Sequence, residues 1–227
     1  MNEYDLKVLT ILFSTNKTLH EAYTSNVYRL DAIPELNDDY KVQLKNTSIT
    51  PIENPLQKIR NEMYNILIFS KEYVNFLANI KSINIYDAAE IIVEIGDIGR
   101  FKNRKHFISY CGLSPVDKKG DKVYKVRKYK KGKHVANKKY DNVDYCENLK
   151  VCLTRCAQKI INNDDEYKNI YNEKVQYYHR KHSMYSKKRI HLMALKKVTI
   201  KFANEVYSTF KNIKENEEYE EMQMIIN

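Results

Sequence analysis

The sequence is poor in residues that bend or cross-link a chain. Its 227 residues include 5 glycines, 4 prolines, 4 cysteines and no tryptophan. Scarce glycine and proline argue against a β-sandwich or barrel, because those folds need frequent turn signals. Long segments rich in Lys, Glu, Leu, Ile and Tyr favour helices instead. We therefore predict a mainly α protein, long enough for one large domain or two small ones.

The cysteines are too few for a disulfide framework at this length. Cys152 and Cys156 lie one helical turn apart, but a zinc site would need a second pair of ligands, for which only His179 and His182 are nearby. We interpret the thiols as small buried hydrophobes and expect no metal or other cofactor. The cysteines in question are Cys111, Cys146, Cys152 and Cys156.

Long apolar runs are also missing, so no segment is predicted to span a bilayer. The start of the chain, MNEYDLK, is acidic where a signal peptide needs a basic region. We expect a reduced, cytoplasmic protein with no membrane partner.

Positive charge is concentrated in one segment. The chain carries 39 basic and 29 acidic residues, a net charge of +10, and residues 118–139 hold 11 Lys or Arg against one acid, Asp121. The net formal charge of all the remaining residues is zero. Such a basic arm attracts polyanions and makes their binding salt-dependent. A solvated lysine-rich loop is the alternative interpretation.

The helical pattern is clearest over residues 56–80, where apolar residues recur at alternating spacings of three and four. This seam predicts a coiled-coil-like helix, which would pair in a dimer or pack inside one globule. Only Ser70 interrupts it. The seam consists of Leu56, Ile59, Met63, Ile66, Ser70, Tyr73, Leu77 and Ile80.

The N-terminal part gives weaker signals. Residues 4–13 predict an apolar helix or strand, residues 14–18 a polar break, and residues 19–32 a second helix. Prolines 34, 51 and 55 predict a loop-rich connection. The predicted organisation is an N-terminal segment over 1–55, the coiled-coil-like helix over 56–81, a helical domain over 82–214 with the arm at 118–139, and a frayed or disordered acidic tail over 215–227.

Residues 82–115 hold the most specific pattern, SINIYDAAEIIVEIGDIGRFKNRKHFISYCGLSP. Asp87 and Glu90 predict a capping box for an apolar helix that ends near Gly96 or Gly99. A short helix over 104–111 follows, closed by Gly112 and Pro115. Later helical positions are Leu149, Leu153, Cys156, Ile160, Tyr167, Tyr171, Val175, Tyr178, Leu195, Val198, Phe202, Val206 and Ile213.

This block resembles the C-terminal domain of RNA-guided insertion-sequence transposases. Residues 94–98 (EIGDI), 100–102 (RFK) and 110–115 (YCGLSP) match that family's elements closely, and Leu149, Lys150 and Leu153 resemble its Leu-Arg-x-x-Leu helix. The resemblance covers roughly residues 56–214. It implies a helix-hairpin-helix-like element, a RuvC-like nuclease half with four acidic residues, a nucleophilic serine and a structured guide RNA.

The sequence departs from that family at three places. The family's Pro-Gly-Ile-Gly hairpin is replaced in this sequence by residues 81–84 (KSIN), so a purely structural turn is favoured over phosphate binding. The segment in which the family's nucleophilic serine is expected reads VDKKG at 116–120 and contains no serine. Ser114 is the nearest residue that could replace that nucleophile. No strand framework surrounds Asp5, Asp31, Asp38 or Asp39, so we expect no nuclease site here.

We therefore predict a transposase-family protein that binds DNA, with a structured guide RNA as a second candidate partner, and that has no autonomous catalysis. It would act as a homo-oligomer or with a nuclease-bearing partner chain. A non-catalytic nucleic-acid-binding protein and a helical dimerisation protein derived from a mobile element are the alternatives. The predicted nucleic-acid-binding residues are Lys118, Lys119, Lys122, Lys125, Arg127, Lys128, Lys130, Lys131, Lys133, Arg100 and Lys102.

Overall fold

Helices form nearly all of the regular structure, as predicted. The computed structural model describes residues 1–32, 38–114, 128–130, 133–135 and 145–226. Its helices are α1 (Glu3–Asp31), α2 (Asp38–Ser48), α3 (Thr50–Leu67), α4 (Lys71–Asn75), α5 (Ile85–Ile95), α6 (Arg104–Tyr110), α7 (Glu147–Asn163), α8 (Asp165–Lys181) and α9 (Lys187–Ile226). Two 3-10 turns, Leu77–Asn79 and Ile98–Arg100, and two short strands, β1 (Lys128–Lys130) and β2 (Lys133–Val135), complete it.

The chain divides into two compact units, Met1–Gly96 and Asp97–Asn227. None of the described helices is both long enough and apolar enough to cross a membrane.

Helix α1 of the first unit is continuous, so the predicted break at residues 14–18 is wrong. The hydroxyls of Thr15 and Thr18 donate to the carbonyls of Ile11 and Ser14, one turn earlier, over 2.9 and 3.2 Å. Because these bonds satisfy the polar side chains along the helix, they do not compete with its backbone ladder. Asn2 caps the helix by accepting the amide hydrogen of Asp5 at 2.8 Å.

Prolines 51 and 55 lie inside α3, which corrects the predicted loop. Pro51 lies in the first turn, where a backbone N–H has no helical acceptor in any case. The buried face of the helix, with Leu56, Met63 and Leu67, favours the helix over a loop.

The segment predicted as one coiled-coil-like helix over 56–81 is not continuous. Helix α3 ends at Leu67, and Ser70 caps the separate helix α4 by accepting the amide hydrogen of Tyr73 at 3.2 Å. Serine is more favourable at a helix N-cap than in a helix interior, which explains why the helix is interrupted at this residue. Leu56, Met63 and Leu77 are buried, in agreement with the alternative in which the seam packs within one globule.

The N-cap of helix α5 lies three residues before the predicted cap. Asn84, rather than Asp87, is the N-cap: its side chain accepts the amide hydrogens of Tyr86 and Asp87 at 3.0 and 2.9 Å. Asp87 completes the capping box by accepting the Asn84 amide hydrogen, in the role assigned above to Glu90. The apolar face is buried as predicted, with Ala88, Ile91, Ile92 and Ile95 in the core.

In the second unit, α7, α8 and α9 pack together, and α8 and α9 form a helical hairpin. The hairpin is joined by Tyr171, whose hydroxyl lies 2.7 Å from His191 Nδ1, and by Tyr167, which donates to Glu205. The core of the unit contains Phe107, Leu149, Leu153, Ile160, Val198, Phe202 and Val206.

Helix α9 continues through the acidic tail, where a frayed or disordered segment is predicted. Lys211 and Lys214 form ion pairs with Glu215 and Glu218 one turn later, at 3.5 and 3.9 Å. Pairs at this spacing stabilise a helix, and glutamate is itself a good helix former. The helix therefore extends to Ile226.

Candidate nucleic-acid interface

The basic arm contains a short antiparallel hairpin. Tyr129 pairs with His134, and Lys130 with Lys133, in the register of β1 and β2. A hairpin or an extended arm is predicted here, and the backbone of three predicted site residues, Lys128, Lys130 and Lys133, belongs to these strands. The other predicted arm residues, Lys118, Lys119, Lys122, Lys125, Arg127 and Lys131, lie outside the described residues.

Arg100, at the end of the 3-10 turn, and Lys102, on the connection to α6, are both exposed. The Arg100 guanidinium lies 4.7 Å from the Phe101 ring centroid and 4.6 Å from that of Tyr110. Burial raises the pKa of the Tyr110 hydroxyl, and Arg100 opposes that rise. Arg100 is thus held in place by aromatic rings, whereas Lys102 is an exposed cation.

The chain segments that precede and follow the arm in sequence meet on the second unit. The Cys146 amide donates to the Tyr110 carbonyl at 2.8 Å, which joins the chain after the arm to the chain before it. Tyr145 packs against Gly112: a β-carbon there would lie 2.7 Å from the Tyr145 ring. Since Gly112 also has φ +64, a side chain at this position would be both strained and crowded.

Two lysines from different helices flank this arm base, which we define as Gly112, Ser114, Tyr145, Lys150 and Lys196. Lys196 Nζ of α9 donates to the Ser114 carbonyl at 3.4 Å, and Lys150 Nζ of α7 lies 5.0 Å from the Tyr145 ring centroid. Lys150 also has Glu147 at 4.0 Å. The described residues that flank the arm, Ser114 and Tyr145, thus lie beside positive charge that the helices contribute.

Like charges surround Lys196. Burial lowers the pKa of its ammonium group, and the neighbouring charges of Lys150 and Lys197 lower it further. A phosphate would relieve this repulsion, because it is a counter-charge for several lysines at once. Sequence reasoning did not group these lysines, since 46 positions separate Lys150 from Lys196.

No catalytic constellation is built around Ser114 in the part of the chain that the structure describes. Ser114, four residues before the arm in sequence, is half-buried, and its carbonyl accepts a hydrogen bond from Lys196 Nζ. Thr154, the next hydroxyl of this type in the sequence, donates to the Lys150 carbonyl within α7 at 2.8 Å. The residues at 116–120, where the resemblance places the nucleophile, lie outside the described residues.

Three of the four cysteines pack as predicted, whereas Cys146 is half-buried and caps α7, its Sγ accepting the Leu149 amide hydrogen at 3.3 Å. All four are free thiols, and Cys111, Cys152 and Cys156 are buried. Burial raises the pKa of the Cys111 thiol, which keeps it neutral and unreactive.

The hairpin expected at residues 81–84 uses its own side chains at the start of α5. Asn84 occupies the amides of Tyr86 and Asp87, and the Asp87 carboxylate takes the Asn84 amide. These amides have protein acceptors, so the geometry agrees with a structural turn. The helix-hairpin-helix assignment stays a prediction.

A second basic segment lies on α8 and α9. Residues 174–204 contain no Asp or Glu and nine lysines or arginines. The net charge summed over all residues outside 118–139 is zero, because acidic residues elsewhere offset these cations, and the sum therefore did not reveal this segment. The net charge in a sliding window along the same sequence would have found it. Its basic residues are Lys174, Arg180, Lys181, Lys187, Lys188, Arg189, Lys196, Lys197 and Lys201.

Comparison with known proteins gives a family match over part of the chain. Residues 74–172, from α4 into α8, match the family model described as the transposase IS116/IS110/IS902 family. No curated protein matches the chain. The matched range includes the EIGDI and YCGLSP elements, the whole arm and α7. Over these residues the chain is similar to transposases of the IS116/IS110/IS902 family, which supports a transposase domain and a role in transposition.

Proposed function

We propose that this protein binds DNA during transposition, through phosphate contacts made by the basic arm and by the lysines at the arm base. The observation that carries the proposal is the convergence of Lys150 and Lys196 at the point where the described chain before the arm meets the described chain after it. These two lysines would then contact the same DNA backbone as the lysines of the arm.

Lysine dominates this surface, which favours backbone contacts over base reading. Ten of the 11 basic residues in 118–139 are lysines. Lysine is a mobile point charge, whereas arginine gives the two-pronged contacts that read guanine. We therefore expect strong salt dependence and weak sequence preference from the arm.

The salt dependence of binding tests the proposal. The logarithm of the association constant for duplex DNA falls linearly with the logarithm of the salt concentration. Replacing Lys125, Lys128 and Lys130 together by alanine should make this slope less steep by about three units, one per lost phosphate contact. The matched control replaces Lys17, Lys45 and Lys58, which are exposed on α1, α2 and α3. It changes net charge equally and should leave the slope unaltered.

Two results would refute the DNA-binding proposal: an unchanged slope in the arm variant, or no retention of duplex DNA by the unmodified protein at low salt. Structured RNA is run beside the duplex. Retention of RNA alone, with the same loss of slope, would identify a guide RNA rather than DNA as the partner of the arm.

We also propose that this chain does not cut DNA by itself. The sequence VDKKG at 116–120 has no serine where the resemblance places one, and lysine cannot form the expected phosphoserine-type link. Cleavage then requires a nuclease-bearing partner chain. Incubating the purified protein with supercoiled DNA and magnesium tests this, and nicking that co-purifies with the protein through several columns would contradict it.

A further inference from the structure

Four planar side chains follow one another at the turn between α8 and α9. The Tyr178 and His182 rings lie 6.3 Å apart at 23°, and the His182 and Tyr185 rings 4.6 Å apart at 9°. The Arg189 guanidinium carbon then lies 3.7 Å from the Tyr185 ring centroid. We call Tyr178, His182, Tyr185 and Arg189 the turn stack.

The turn stack is anchored at one end and open at the other. Tyr178 is buried beside Ile190 and Ala194, and Tyr185 packs against the same cluster. Arg189 at the opposite end is exposed. The inner rings of His182 and Tyr185 thus each lie between two members of the turn stack, while Arg189 borders solvent.

Backbone contacts fix the positions of these side chains. The His182 amide donates to the Tyr178 carbonyl, and the Tyr185 amide to the His182 carbonyl, both at 2.9 Å. Ser186 Oγ accepts the Arg189 amide hydrogen at 3.3 Å at the start of α9. A surface that is ordered before binding loses less conformational entropy when a ligand stacks on it.

The sequence around the turn stack carries charge of one sign only. The acid-free residues 174–204 include Arg180, Lys181, Lys187 and Lys188 within a few positions of it, all exposed. Met184, at the tip of the turn, has 95% of its surface exposed. Stabilising the turn alone would need neither these cations nor an exposed apolar tip.

We infer that the turn stack binds the base of an unpaired DNA nucleotide, which stacks on the outer face of Arg189 while nearby lysines contact the flanking phosphates. Aromatic platforms beside cations are the usual binding surface for single strands, and guanidinium planes stack on bases in the same way. A duplex would bind less well, because its bases are already stacked on one another.

DNA is the occupant that the family match favours, because transposition acts on DNA strands. This inference rests on the proposed DNA-binding function. The inference differs from the proposed function in three respects. The site lies on α8 and α9 and not in the arm, the ligand is an unpaired base and not the DNA backbone, and the affinity comes from stacking and not from charge.

The decisive variant is Arg189→Lys, which keeps the charge and removes the planar group. The probes are an oligothymidylate of about 15 nucleotides, within the usual single-strand site size, an abasic oligomer of equal length, and a duplex. Fluorescence anisotropy should show affinity for oligothymidylate falling about fivefold or more, as expected for one lost stacking contact. Affinity for the abasic strand and the duplex should not change.

Lys188→Ala is the matched control. Lys188 is exposed and adjacent to Arg189 but outside the turn stack, so its loss should weaken binding of all three probes to a similar, small extent. Circular dichroism and thermal melting of both variants show that each remains folded.

Three outcomes would overturn the inference: equal affinity of Arg189→Lys and unmodified protein for oligothymidylate, equal weakening on the abasic strand, or binding of oligouridylate about tenfold tighter than of oligothymidylate, since a contact to the ribose 2′-OH would then dominate. An arm variant that loses salt slope while Arg189→Lys behaves as unmodified protein would refute the turn stack and leave the proposed function standing. Loss of all binding by unmodified protein would refute both.

Discussion

Lys214 of α9 donates a hydrogen bond to Asp97, with 2.6 Å between Nζ and Oδ1, although 117 residues separate the two in sequence. Asp97 also accepts the Gly99 amide hydrogen at 2.7 Å, which caps the 3-10 turn. The aspartate of the EIGDI element therefore has a structural role here: it joins the turn before α6 to the long C-terminal helix.

Asp97→Asn should lower stability at neutral pH by less than about 1 kcal/mol, because the pair is largely exposed to solvent. The hydrogen bond from Lys214 is the main cause that lowers the pKa of Asp97 below its usual 3.8. A lowered carboxyl pKa stabilises the fold above the unfolded pKa, and this contribution is lost as pH falls through the folded pKa. Melting curves of both proteins should therefore converge as pH falls below about 4. A stability gap that is constant with pH would show that the ion pair is not its source.

Gly96→Ala should destabilise the protein by about 1 to 3 kcal/mol through backbone strain. Gly96 has φ +58 and ψ −124 where α5 ends, and a β-carbon there would meet no atom within 4 Å. The cost is thus conformational and not steric. Urea denaturation measures it, with the exposed Ser208→Ala on α9 as the control. Equal stability of Gly96→Ala and unmodified protein would mean that the turn can change its conformation at no cost.

Phe202→Ala should cost about 3 to 5 kcal/mol, because Phe202 is among the largest fully buried side chains. Tyr219→Ala on the same helix, where the side chain is 60% exposed, should change stability by about 0.5 kcal/mol or less. Guanidinium unfolding of both variants measures the difference. Similar stabilities would contradict the packing of α9 within the second unit.

Lys196→Met should separate binding from folding. Affinity for duplex DNA should fall, with the salt slope lower by about one unit, because one phosphate contact is removed. Stability at neutral pH should rise or stay level, since the variant loses a half-buried charge that Lys150 and Lys197 repel.

The pH dependence of that variant has a defined sign. A lysine pKa lowered in the folded protein means a penalty that is fully present below the folded pKa and vanishes as pH rises toward the ordinary 10.5. Unmodified protein should therefore gain stability relative to Lys196→Met as the buffer becomes alkaline. The opposite trend in paired melting curves would refute the repulsion at the arm base.

Apolar periodicity predicted the core well, because it depends only on helix geometry. Leu149, Leu153, Ile160, Val198 and Phe202 were all expected inside and are buried. Helix boundaries were predicted less well. Asn84 and Asp87 are both good caps, and the fold uses both, with Asn84 as the N-cap and Asp87 as the capping-box partner three residues later.

The candidate sites show the same limit more strongly. The arm was evident from its lysines, whereas the arm base joins Gly112, Tyr145, Lys150 and Lys196 from separate parts of the chain. Only the packing of α7 on α9 brings them together. The turn stack is local in sequence, yet the parallel rings of His182 and Tyr185 depend on the conformation of a five-residue turn that sequence periodicity does not encode.

The charges along α9 have a consequence for its energetics. Lysines and an arginine crowd its amino-terminal end, its first turn contains no acid, and glutamates fill its carboxy-terminal end. The helix macrodipole is positive at the amino end and negative at the carboxy end, so the side-chain charges at both ends add to it. Acidic residues at the amino end and basic residues at the carboxy end would instead oppose the macrodipole and stabilise the helix. A rod polarised in this way experiences a torque near any dense line of negative charge, which turns its basic end inward and its acidic end away.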